Sequence, residues 1–296
     1  MLKELRILCI EDDINTQKYL KMILENDVKE FIQAFNAKEG LQLYKAENPD
    51  IVITDINMPS FSGLELAAKI KEIKSTQSLL FISTFDDKEN LLLAINLCCD
   101  GFIPKPIDID ALYRQLHLIA QNIEKEKKIH HLANYDALTE LPNKIMFEAA
   151  LEENIEEAKQ TKENIAVFFI DLDYFKIVND KYGHDTGDFV LQHIVKNISH
   201  ILPPSTMFAR RSGDEFYVLL KNYRHDIQLQ TLANDIIAVC SKNIFYKGHI
   251  LSLSCSIGIS RFPQDSYTLQ MLLKHADQAM YQAKLRGKSR YHLFKK

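Results

Sequence analysis

Between Arg6 and Pro106, five short apolar stretches alternate with helix-patterned segments, and that alternation leaves few folds open. The stretches are Arg6-Ile-Leu-Cys-Ile10, the neighbourhood of Phe31, Ile51-Val-Ile-Thr54, Leu79-Leu-Phe-Ile82 and Gly101-Phe-Ile103. Strands alternating with helices in this way form a doubly wound, five-stranded parallel sheet, an α/β fold. In such a sheet the carboxyl ends of the strands line the ligand crevice. Here those ends carry Glu11-Asp12-Asp13, Asp55, Ser83-Thr84 and Pro104-Lys105-Pro106. Glu11, Asp12 and Asp55 in one crevice repel each other unless a hard cation such as Mg²⁺ sits among them, with a backbone carbonyl completing its shell. A carboxylate polarised in that way can attack a phosphoryl donor, while Ser83 and Lys105 hold the transferred oxygens.

The second half carries acids at strand ends of its own. Ile165-Ala-Val-Phe-Phe-Ile170 reads as a buried strand running into Asp171-Leu172-Asp173. Met207 to Leu220 reads as a β-hairpin closed by the two-residue turn Ser212-Gly213, with Asp214 and Glu215 directly after it. Two acidic strand ends side by side make a pocket for a metal-bound triphosphate.

Length and composition bound the rest. A chain of 296 residues has room for two domains, each with its own core. A net charge of −4 argues against wrapping nucleic acid. The five cysteines are odd in number and lack zinc spacing, so they read as reduced core residues of a cytoplasmic protein. No signal peptide or transmembrane stretch is legible, so direct membrane contact is not expected.

Between the two halves, Ile107 to Tyr135 contains neither Gly nor Pro. Leu112, Leu116, Ile119 and Ile123 recur at coiled-coil spacing. The pattern weakens through Glu124-Lys-Glu-Lys-Lys128 and returns at Ile129 and Leu132. One long helix able to pair with its copy is the expectation, and an amphipathic helix packed on its own domain is the alternative.

These motifs resemble two known families. Residues 1–121 resemble the receiver domain of response regulators, in which Met58-Pro59 and Gly63 also fit. The resemblance implies that Asp55 is the phosphoacceptor and that Glu11, Asp12 and the Asn57 carbonyl join it around Mg²⁺. It further implies Ser83 as switch hydroxyl, Phe102 as switch aromatic, Lys105 as phosphate-binding lysine, a cis Lys105-Pro106 bond and an upstream sensor histidine kinase. Residues 122–135 are then a helical coiled-coil linker.

Residues 136–296 resemble the GGDEF domain of diguanylate cyclases. The resemblance is carried by Asp136-Ala-Leu-Thr-Glu-Leu-Pro-Asn143, Asp171-Leu-Asp-Tyr-Phe-Lys176, Asn179-Asp180 through Gly187-Asp188, Ser212-Gly-Asp-Glu-Phe216, Ser256-Ile-Gly258 and Ala276-Asp277 through Lys284. It implies an α/β domain with a mainly antiparallel, palm-like sheet that condenses two GTP into cyclic di-GMP across a homodimer formed through the receiver and linker helix. Asp171, the Leu172 carbonyl and Asp214 would bind Mg²⁺ or Mn²⁺, and Asp214 or Glu215 would help remove the hydroxyl proton. The main chain near Tyr174 and Phe175, with Lys176, Lys284 and Lys288, would hold the triphosphate. Lys284 and Lys288, four apart, are expected on one helix face. Asn179, His184 and Asp188 would contact the substrate, and a carboxylate at Asp188 can accept from guanine N1–H and its 2-amino group, which favours GTP over ATP.

Four positions depart from the family pattern. Ser212 replaces the first glycine of the signature, and Lys144 and Lys288 stand where arginine is usual. Pro203-Pro-Ser-Thr206 lacks the Arg and Asp of the family's inhibitory product site. A catalytically silent module that binds GTP or a protein partner is the rival reading.

Overall fold

The computed structural model describes residues 1–59, 61–84 and 93–295. The chain divides into two compact units, Met1–Lys128 and Ile129–Lys296.

In the first unit, β1 (Arg6–Ile10), β2 (Glu30–Ala34), β3 (Ile51–Asp55), β4 (Ser78–Ser83) and β5 (Gly101–Pro104) form one parallel sheet in the order β2-β1-β3-β4-β5. The period of two along each strand feeds two cores, one on each face. Ile7, Cys9, Ile51, Ile53, Leu80 and Ile82 point into one, and Leu8, Ile10, Val52, Leu79 and Phe81 into the other. The helices α1 (Ile14–Leu24), α2 (Ala37–Glu47) and α3 (Gly63–Ile73) start at side-chain caps: Asp13, Asn36 and Ser62 accept from Thr16, Glu39 and Glu65 backbone N–H groups. The Lys105-Pro106 peptide is cis.

A single helix, α4 (Ile109–Asn134), runs through the boundary between the units. Over its first half the apolar face follows the alternative, a helix packed on its own domain. Leu112, Leu116 and Ile119 are buried among β1, β3 and β4 of their own domain, with Ile123 packed beside them. A helix that closes one face of a parallel sheet needs the same spacing of three and four as a paired helix, so the periodicity fits both. Ile129 and Leu132 stay exposed.

The second unit is built on a mixed sheet in the order β12-β11-β6-β8-β7. Its strands are β6 (Ile165–Asp173), β7 (Thr206–Ser212), β8 (Glu215–Lys221), β11 (Ser254–Phe262) and β12 (Arg290–Leu293). All pairings are antiparallel except β11 with β12. A separate hairpin joins β9 (Ile244–Tyr246) to β10 (His249–Leu251). The helices are α5 (Lys144–Thr161), α6 (Phe175–Tyr182), α7 (His184–Ile201), α8 (Asp226–Cys240) and α9 (Leu269–Leu285). The central strand again serves two cores: Ala166, Phe168, Ile170 and Leu172 face one, while Ile165, Val167 and Phe169 face the other. At Gly258 the backbone of α9 comes so close to β11 that an added Cβ would lie 1.9 Å from the Ala276 carbonyl oxygen.

The hairpin turn sits one residue later than the sequence suggests. Ser212 pairs with Glu215 across the ladder, so Gly213-Asp214 forms the turn, after a register shift between Arg210 and Ser212. Gly213 takes φ +56°, whereas Ser212 is extended strand without a positive φ. The serine that replaces glycine therefore stands where the backbone accepts any L residue.

Candidate functional site

In the first unit the carboxyl ends of β1 and β3 bring Glu11, Asp12 and Asp55 together, with ligand oxygens all within 4.8 Å of one another. Lys105, beyond β5, places its Nζ 2.5 Å from Asp55 Oδ2 and 2.8 Å from Glu11 Oε2. Glu11 and Asp55 are both buried. Burial pushes the Glu11 carboxyl up to about 7, against the pull of Lys105 and with the Asp55 charge adding to the rise. Burial works against the Lys105 ammonium too, but its bonds to Asp55 and Glu11 prevail and hold its pKa above the ordinary value. The Asn57 backbone N–H donates to Asp55 Oδ1 at 3.0 Å, and its side-chain amide donates to Ser83 Oγ at 3.2 Å. Phe102 is partly buried against the neighbouring core. An all-oxygen set of three carboxylates, two buried and Asp12 exposed, countered by one ammonium, fits a hard divalent cation.

In the second unit the tips of β6 and β8 lie side by side, and Asp171 pairs in register with Glu215. The Leu172 N–H donates to the Asp214 carbonyl at 3.1 Å, which fastens the turn to the strand end. Burial raises the carboxyls of both Asp171 and Asp214. For Asp171 the nearby charges of Asp214 and Glu215 add to this, while Lys284, whose Nζ lies 2.7 Å from Asp171 Oδ2, opposes it. Acids brought together under burial and partly compensated by a lysine are a donor set that fits a hard cation, held at some cost to the fold. Glu215 is engaged differently: Arg211 pairs with it, and Ser212 Oγ donates to its Oε2 at 3.1 Å.

Beside these tips α6 begins at Tyr174, which has φ +67° and offers no side-chain cap, so the first N–H groups of the helix carry its positive dipole end. The Phe175 ring is part of the core, which leaves only its main chain to meet a substrate. Lys176, His184 and Asp188 are exposed. Asn179 Oδ1 is buried without a hydrogen-bond partner among the described residues. It faces Gly187, where a Cβ would lie 1.9 Å away.

Lys288 is not on the helix of Lys284. α9 ends at Leu285, and Gly287 at φ +110° and Lys288 at φ +61° turn the chain back. The glycine just past the last helical turn was the available signal.

Several supporting residues escaped the sequence reading. Asp173, buried, accepts from Ser254 Oγ (2.7 Å), Ser256 Oγ (2.9 Å) and the Ser289 N–H (3.1 Å). Arg210 reaches Asp136 at 2.8 Å and the Gly213 carbonyl at 3.0 and 2.8 Å, so it ties the hairpin turn to the segment that follows α4. Lys144 makes an i,i+4 contact with Glu148 at 3.7 Å. Thr206 Oγ1 donates to the Pro203 carbonyl at 2.5 Å, closing the turn before β7.

No helix among the described residues is long and apolar enough to cross a membrane. Residues 7–117 match the family model of the response regulator receiver domain, and residues 133–290 match that of the diguanylate cyclase GGDEF domain. The chain is 36% identical over 194 residues to the signaling protein YkoW of Bacillus subtilis, covering 64% of this chain and 24% of that protein. It is 38% identical over 179 residues to the diguanylate cyclase TpbB of Pseudomonas aeruginosa, covering 60% of this chain and 41% of that one. It thus spans less than half the length of either relative. The solved GGDEF domain of TpbB superposes with a TM-score of 0.53 at 39% identity, covering 54% of this chain and 94% of that domain. A receiver domain followed by a GGDEF domain places the chain in the GGDEF diguanylate cyclase family.

Proposed function

We propose that the chain is a cytoplasmic diguanylate cyclase whose activity is set by phosphorylation of Asp55 by a sensor histidine kinase. The observation that carries the reading is the grouping of buried Asp171, half-buried Asp214, paired Lys284, the uncapped start of α6 and the unsatisfied Asn179 Oδ1. They supply the kinds of group a metal-bound purine triphosphate needs: carboxylates for a cation, a helix start and lysines for phosphate, and a polar side chain for the base. Held by Asp171, the Leu172 carbonyl and Asp214, Mg²⁺ or Mn²⁺ would neutralise charge developing at the α-phosphate.

The residues of the chain supply the rest. The N-terminus of α6, with Lys176, Lys284 and Lys288, binds the triphosphate, and Asn179 with Asp188 selects guanine. His184, at the start of α7, stands at the base end of the site. The 3′-hydroxyl of a second GTP, held by another copy of the chain, attacks the α-phosphorus. The new O–P bond forms as the α–β bridging bond breaks, and pyrophosphate leaves. Asp214 or Glu215, adjacent at the start of β8, helps to take the hydroxyl proton. Two such transfers across a twofold pair of chains close the ring.

The test is product formation from GTP and Mg²⁺ by the full chain, with and without beryllofluoride, read by chromatography. Cyclic di-GMP that rises with beryllofluoride supports the reading. No product in either state, at a concentration where the chain is dimeric, favours a silent module that relays receiver phosphorylation. Because Pro203–Thr206 offers neither Arg nor Asp, added cyclic di-GMP is expected to leave the rate unchanged.

The receiver's metal dependence follows from Glu11. We propose that Mg²⁺ joins Glu11, Asp12, Asp55 and the Asn57 carbonyl. The folded carboxyl of Glu11 titrates near 7, above its ordinary 4.5, so the metal-free protein loses stability as pH rises through that window. Mg²⁺ must displace the extra proton, and so binds better above it. Millimolar Mg²⁺ is therefore expected to raise the receiver's unfolding midpoint more at pH 8 than at pH 6, and less so in Glu11→Gln. Equal shifts at both pH values would sink the assignment.

A further inference from the structure

Tyr174 and Lys288 are two non-glycine residues in the left-handed region, at φ +67° and +61°, and they touch. Lys288 Nζ stands 3.9 Å from the centroid of the Tyr174 ring, well inside cation–π range. Backbone strain of this kind persists only where surrounding structure over-determines it. Here the surrounding structure is visible: Asp173, the neighbour of Tyr174, accepts from the N–H of Ser289, the neighbour of Lys288. The end of β6 and the turn after α9 are thereby stapled together, by the Asp173 carboxylate on the Ser289 N–H and by the Tyr174 ring on the Lys288 ammonium.

The choice of an aromatic partner has a chemical consequence. Lys284 is paired with Asp171 and largely neutralised by it. Lys288 makes no ion pair among the described residues, and a ring face holds an ammonium without cancelling its charge. A lysine is a mobile point charge on a four-carbon stem, and fixing it costs side-chain entropy. A ring that holds it beforehand lowers that cost at the moment an anion binds.

We infer that the Tyr174 side chain is the positioning residue for Lys288, holding its ammonium beside the start of α6 to meet the terminal phosphates of the nucleotide. This rests on the nucleotide-binding reading above and adds a specific determinant to it. The ring contributes to phosphate affinity through Lys288 alone, and it takes no part in the bond-making step.

The experiment is a double-mutant cycle on the full chain. Binding of Mg²⁺ with α,β-methylene-GTP, whose α–β bond cannot be cleaved, is measured by calorimetry, alongside KM and kcat for GTP. Tyr174→Leu is expected to raise Kd and KM together by about threefold, with the loss falling on KM rather than kcat. Tyr174→Phe keeps the ring face and restores the affinity. Lys288→Met weakens binding by about tenfold, the scale of a charge-assisted phosphate contact, and adding Tyr174→Leu to it costs nothing further. Wild-type affinity in Tyr174→Leu, or losses that multiply in the double variant, would overturn the inference while leaving the cyclase reading standing. If the wild type binds the analogue but makes no cyclic di-GMP, the cyclase reading falls and the cycle still decides the role of Tyr174. If the wild type does not bind the analogue, both fall.

Discussion

Asp171→Asn is expected to lower cyclic di-GMP formation by at least about 10³-fold, the scale on which removing one group that stabilises transition-state charge acts. The same change is expected to leave the fold as stable as before or slightly more so. Burial raises the Asp171 carboxyl above its ordinary range, against the pull of Lys284. An acid whose folded pKa lies above its unfolded one destabilises the folded state once ionised, so a neutral isostere removes a cost. Lys284 then loses its partner, but it is partly exposed and can turn to water. Activity and stability therefore part company, as they should at a site built for a ligand rather than for packing. Turnover is read by chromatography and stability by thermal unfolding of the full chain. Near-wild-type turnover would remove Asp171 from the metal site, and a collapse of the unfolding midpoint would make it a structural acid.

Much of this architecture was legible because strands and sites announce themselves locally. A strand of apolar residues stopped by an acid, as at Ile170-Asp171 and Thr54-Asp55, states both its burial and its acidic carboxyl end in one stretch. Proximity was likewise readable: Lys105 does reach Asp55 and Glu11 from 50 and 94 residues away. The failures came where one pattern serves two structures or where neighbours decide. Hairpin register depended on a shift at Arg211 that alternation does not encode, so the turn moved to Gly213-Asp214. Spacing of four suggested a shared helix face for Lys284 and Lys288, and Gly287 broke it. Asp173 was visible as a residue but silent as a role, because its three donors come from Ser254, Ser256 and Ser289, more than 80 residues later.

The long helix is the case where the two readings of one periodicity differ most in consequence. Leu116 lies fully buried against β1, β3 and β4 of its own domain. Leu116→Ala is therefore expected to destabilise the receiver by about 2–5 kcal/mol, the cost of lost transfer energy plus the cavity left behind. Were Leu116 a seam residue between two chains, the same change would instead weaken self-association and leave the unfolding of a dilute monomer alone. Ile129 and Leu132 give the opposite expectation. Both are exposed, at 65% and 58%, and their polar replacements should leave unfolding within about 0.5 kcal/mol of the parent, as surface changes do. Ile109 and Leu118 are exposed as well, but Ile129 and Leu132 are the exposed apolar pair beyond the receiver unit; if that end of α4 pairs with a second copy of the chain, Ile129→Ser with Leu132→Ser should lower dimerisation and cyclic di-GMP formation together. Denaturant unfolding of dilute chain and sedimentation at high concentration separate the two sets. A destabilised Leu116→Ala beside a stable but monomeric Ile129→Ser/Leu132→Ser divides α4 into a receiver-packing half and a pairing half. The Asn143 side chain and backbone N–H donate to the Ala133 and Asn134 carbonyls at 2.7 Å each, so the last turn of the helix is fastened to the first segment of the GGDEF domain. From that segment the contacts continue through Asp136 to Arg210 and so to the Gly213-Asp214 turn.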